Sequence, residues 1–101
     1  MSLASPTPQA TSQTTPYPPN TTYKPPKGYV PEAATAIRIA EAVWIPIYGE
    51  ETLKDEKPFK AHLVNGVWIV RGTLPEGMLG GTAYAEISKE TGQILNVTHF
   101  K

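Results

Sequence analysis

The acids Glu50, Glu51, Asp55 and Glu56 crowd into the stretch WIPIYGEETLKDEKPF, residues 44–59. Grouped carboxylates can work as general acid and base, hold a divalent cation, or steer a basic partner. A calcium loop needs oxygen ligands that alternate through a glycine turn and close on a distant glutamate. Here the acids ride on a helix-forming run interrupted by Lys54 and Lys57, which fits a solvated charged turn or a partner-binding surface instead. His62 and His99 are the two histidines, both on expected strands, with no second histidine or cysteine at ligand spacing. A pairing of one histidine with Glu86 is the polar cleft that these strands suggest. Ser88 sits beside a turn with no base indicated, and Gly80-Gly81 lacks the lysine and helix start of a phosphate loop. The residues therefore indicate no enzyme, no metal site and no cofactor.

The elements that position these residues follow from periodicity. Ala33, Ala36, Ile37, Ala40, Val43, Trp44 and Ile47 recur at three- and four-residue spacing, predicting an amphipathic helix. Pro31 and Glu32 suit its first turn, Pro46 should loosen it, and Gly49 is its C-terminal cap. Glu50 to Lys57 reads as a short exposed helical piece anchored by Leu53 alone and ended by Pro58.

Asn65-Gly66 between two apolar alternations is a strong hairpin signal. A two-residue turn sets Val64 against Val67, Leu63 against Trp68 and Ala61 against Val70. One face then carries Phe59, Ala61, Leu63, Trp68 and Val70, with Trp68, Leu63 and Phe59 expected to dominate the core. The other carries Lys60, His62, Ile69 and Arg71, a mixed surface suited to solvent, a cavity or a partner. Trp44 and Trp68 read as core side chains. After the loop LPEGMLGG, which exposes Met78 and Leu79 unless something covers them, residues 82–88 and 93–100 read as a second hairpin joined by KETG. The expected fold is α+β: one long N-terminal helix packed on a four-stranded antiparallel sheet.

The chain has 101 residues, formal net charge zero and no cysteine, hence no disulfide framework and no thiol nucleophile. Residues 1–30 hold seven of the eleven prolines, are rich in Ser and Thr, and contain no acid. They bury too little apolar surface to offset their ordering and read as a disordered tether, with residues 31–101 as the single folded domain. The tether is +2, and residues 31–101 are −2 from nine acids against seven bases, a balance that attracts no nucleic acid. No stretch approaches the roughly 18 apolar residues of a membrane-spanning helix. The Pro/Ser/Thr composition after Met-Ser-Leu matches tethers that follow a cleaved export signal or lipid anchor, which favours a periplasmic or cell-envelope setting over the cytoplasm.

The ordered series YGEETLKDEKPF, NGVWIVRGTLP, GGTAYAEISKETGQIL and THFK resembles a bacterial family of nuclear-transport-factor-2-fold immunity proteins over about residues 33–101. The resemblance implies an antidote that binds and neutralises a cognate toxin domain of a polymorphic toxin system. Most matching positions, among them Gly49, Trp68, Gly72, Gly80, Gly81 and Gly92, are caps, turns and core; Tyr48, Glu50, Glu86 and His99 are not explained that way. A full member of that superfold packs several helices on a curved, cone-like sheet, so one helix and four strands predict a reduced, cystatin-like cone. Under this reading Glu50, Glu51 and Asp55 steer the toxin, and Met78 and Leu79 anchor it. The alternative, suggested by the ISKETGQIL hairpin, is a PepSY-like or cystatin-like module of the cell envelope that binds a small molecule or peptide. Tyr48, Glu86 and His99 would then line a pocket between the helix and the concave face of the sheet.

Overall fold

A computed structural model describes residues 22–75, 77 and 80–101. Helix α1 spans Ala33–Tyr48 and α2 spans Glu50–Lys54; strands β1 (Lys60–Val64), β2 (Val67–Arg71), β3 (Ala83–Ser88) and β4 (Ile94–His99) follow. The strands form one antiparallel sheet in chain order. Helix α1 lies across β1, β2 and β3, with α2 against α1, the α+β architecture expected from the periodicity.

Apolar spacing explains the packing of α1. Ala36, Ala40 and Trp44 are fully buried at four-residue intervals, and Ala33 and Ile37 pack beside them. The alanines leave little bulk between helix and sheet where Ala83 and Ala85 of β3 are also buried. Trp44 fills the wider end, edge-on to Phe59 at 5.3 Å, and its indole N–H donates to the Tyr84 carbonyl at 3.3 Å. The helix runs on through Pro46 into its last turn and stops at Gly49 (φ 91°), whose N–H donates to the Ile45 carbonyl at 2.8 Å. It begins at Ala33, just after Glu32, whose backbone is extended.

The first hairpin has the expected register, Val64 with Val67, Leu63 with Trp68 and Ala61 with Val70. Asn65 (φ 49°) and Gly66 (φ 79°) supply the paired positive φ angles that match the twist of the flanking strands. The second hairpin pairs Ala83 with His99 and Ala85 with Val97, then shifts register between Glu86 and Ile87 so that Ile87 meets Ile94. Its turn is held by Ser88, whose N–H donates to the Gln93 carbonyl and whose carbonyl accepts from Gly92 N–H.

Three expectations are corrected. Leu63 is 46% exposed, because it lies toward the end of β1 beyond the cover of the helix, and Ile47 is 56% exposed at the helix end. The folded unit also begins before Pro31. Val30 is a core residue, 1% exposed; the N–H groups of Tyr29 and Val30 donate to the carbonyls of Glu90 and Lys89 at 3.1 and 3.0 Å. The Trp68 indole N–H donates to the Val30 carbonyl at 2.7 Å. The apolar residue that ends a proline-rich stretch is thus part of the core, its carbonyl the acceptor for a core tryptophan. The rest of the expected tether through Thr21 lies outside the described residues.

Candidate functional site

The acidic stretch begins where α1 ends and continues along α2. Gly49 ends α1 and turns the chain into α2, whose first residues Glu50 and Glu51 stand at the favourable end of the helix dipole. Leu53 is the buried anchor, 2% exposed, while Glu50, Glu51 and Asp55 are exposed. Between α1 and α2 lies an open depression of about 240 Å³, with Ile45 and Leu53 as apolar lining and Glu41, Glu50, Glu51, Lys54 and Lys57 as charged lining. Lys57 pairs with Glu41 at 3.6 Å across this depression. Glu50, Glu51 and Asp55 make no ion pair of their own among the described residues.

Glu56, the fourth acid, does something different. It is three residues beyond Leu53, hence on the same side of the chain, and it is 7% exposed. One carboxylate oxygen accepts from the Ala83 N–H at 2.7 Å and the other lies 2.7 Å from His99 Nε2. The Glu56 carbonyl accepts from Thr73 N–H at 2.7 Å. Gly72 makes room for it: a Cβ there would stand 2.8 Å from the Glu56 Cβ. One side chain thus ties the end of α2, the start of β3 and the end of β4. His99 completes the cluster, its Nδ1 2.9 Å from the Phe100 carbonyl and its ring edge-on to Tyr48 at 5.2 Å.

Tyr48 and His99 therefore meet, but the acid on His99 is Glu56 and not Glu86. Strand alternation explains the difference. Ala83 and His99 are opposite neighbours, so Glu86, three residues from Ala83, projects from the other face of the sheet. There it accepts a hydrogen bond from the Tyr84 hydroxyl at 2.6 Å. That bond, with burial and the carboxylate charge adding to it and Arg71 opposing, holds the Tyr84 phenol above the ordinary tyrosine range. The sequence carried one signal for Glu56, its spacing from Leu53, and none for its partners. Met78 and Leu79, the expected apolar anchors, lie outside the described residues.

The face of the sheet turned away from α1 is open. Lys60, Arg71, Tyr84 and Thr98 form one row across all four strands, and His62, Ile69, Glu86 and Asn96 form the next. Among the described residues no group of three or more His, Cys, Asp or Glu side chains could hold a metal ion, and no helix is long and apolar enough to cross a membrane.

Comparison with known proteins identifies the family of the chain. The family described as NTF2 fold immunity protein matches residues 35–101, from α1 to the end of β4 and beyond. An Escherichia coli (strain K12) protein, "Uncharacterized protein YhhH", is 33% identical over 76 residues, covering 74% of this chain. The chain spans 60% of the length of that protein. No solved structure matches. With one helix laid on an open four-stranded antiparallel sheet and a family match over two helices and all four strands, the chain belongs to the NTF2 fold immunity proteins.

Proposed function

We propose that the protein binds a cognate bacterial toxin domain and neutralises it by occupying a basic surface of that toxin, with the α1–α2 depression as the contact. The observation that carries this reading is the division of labour among four neighbouring acids. Glu56 is buried and fully engaged, whereas Glu50, Glu51 and Asp55 are exposed and hold nothing in the fold together. Two of them border a depression with Ile45 and Leu53 in its lining, which suits the apolar stem and charged head of an arginine or lysine. Met78 and Leu79 are proposed to add apolar anchors from the loop between β2 and β3. Exposed rim charges act mainly on encounter rate, and apolar anchors on dissociation.

The test is binding to the cognate toxin at low and moderate salt with Glu50→Lys, Glu51→Lys and Asp55→Lys combined. The expected result is association slowed by about tenfold or more at low salt, a flattened salt dependence and an unchanged melting transition. Wild-type affinity and salt slope in the triple variant would move the interface away from α2.

A further inference from the structure

The open face of the sheet carries a charge arrangement that the fold does not need. Lys60 and Arg71 are direct cross-strand neighbours on that face, and like charges at opposed strand positions destabilise a sheet. Among the described residues neither is in an ion pair; the pairs there are Lys57 with Glu41 and His99 with Glu56. Glu86, the acid on this face, is taken up by the Tyr84 hydroxyl at 2.6 Å.

Arg71 is nevertheless positioned. Its guanidinium lies over the Tyr84 ring, 5.3 Å from the centroid. Tyr84 is itself braced by Glu86 on one side and by Phe100 on the other, edge-on at 5.0 Å. Stacking uses the face of a guanidinium and leaves its N–H edge available for in-plane acceptors. An arginine held over a ring beside a second cation is therefore a localised set of donors for a carboxylate. On the far side of the Tyr84 ring, Phe100 is 48% exposed, an apolar surface within the same row of contacts.

We propose that this face binds an acidic segment of a protein partner, one carboxylate side chain engaging Arg71 and Lys60 while an apolar neighbour packs on Phe100. Charge complementarity selects the partner. The cations are few and local, and residues 31–101 carry nine acids against seven bases, too little positive charge to track a phosphate backbone. The inference does not rest on the α2 reading. It concerns the opposite charge on the face turned away from α1, so either can fail alone.

The experiment is a backbone-amide NMR titration of the full chain with three probes: a capped hexapeptide of alternating glutamate and leucine, its glutamine counterpart, and a thymidine oligonucleotide. The glutamate peptide is expected to shift the amides of Arg71, Tyr84 and Thr98. Arg71→Gln should weaken it about tenfold while the denaturation midpoint stays the same or rises, because a repulsion has been removed. Arg71→Lys, which keeps the charge and loses the fork, should fall between. Equal shifts with the glutamine peptide, tighter binding of the oligonucleotide, no shifts at saturating peptide, or a clear loss of stability in Arg71→Gln would each overturn the proposal.

Discussion

Strand β3 has two faces with opposite chemistry. Ala83, Ala85 and Ile87 are at most 1% exposed and form the floor on which α1 rests. Tyr84, Glu86 and Ser88, interleaved with them, look out from the uncovered side. On the covered face small and large side chains are matched to the distance of the helix, so shape decides what is tolerated. On the open face the contacts are a ring on a guanidinium, a hydroxyl on a carboxylate and a ring on a ring. Packing fixes the first face; the second keeps its groups oriented without covering them. The open face therefore presents oriented polar and charged groups to its surroundings, where the covered face presents none.

This contrast can be broken most forcefully on the covered side. Trp44→Ala empties the widest part of the core and removes the indole donor to the Tyr84 carbonyl; a loss of about 3–5 kcal/mol in chemical denaturation is expected, enough to unfold a large fraction of a domain of this size. A smaller effect is expected at the boundary between the layers. Glu56→Ala leaves the buried Ala83 N–H without its acceptor and His99 without its partner, with a cost of about 2–3 kcal/mol, read from the same denaturation curves. Glu50→Ala, six residues earlier, should leave the curve unchanged, which would separate the structural acid from the exposed one.

The least disruptive probe sharpens the open side. The Tyr84 phenol is held above its usual range, first by its hydrogen bond to Glu86, then by burial and the carboxylate charge, against an opposing pull from Arg71. Because the folded value is raised, the stabilisation from this bond is complete below the unfolded tyrosine value of about 10 and is lost as pH rises through the folded one. An ultraviolet titration should show a phenol component ionising above the ordinary tyrosine value, and Tyr84→Phe should remove that late component. A late component that survives the substitution would mean that Tyr84 is not fixed against Glu86.

Local chemistry made much of the fold legible. The helical stripe ran from Ala33 to Trp44, and Asn65-Gly66 set the register of the first hairpin. What escaped was long-range. Val30 is ordered by Trp68, 38 residues away, and no pattern within residues 1–30 announces that partner. Leu63 has the apolar character of a core residue, but its exposure depends on where the helix ends its cover. Glu56 looked like its neighbours Asp55 and Glu51 because a run of acids carries no mark for the one whose backbone partners lie 27 residues ahead at Ala83. The pocket of Tyr48, Glu86 and His99 failed for a simpler reason, the parity of a strand, since odd and even positions of β3 cannot share a face.

The anchorage of Gly28 to Val30 also sets how the domain bears load. The segment is fastened to the β3–β4 turn by two backbone hydrogen bonds, and its last carbonyl is gripped by the Trp68 indole before α1 begins. Tension on the chain ahead of it is therefore borne first at the β3–β4 turn and by a core tryptophan, not by the first turn of the helix. Those bonds form a short mechanical clamp, and α1 is unloaded for as long as it holds.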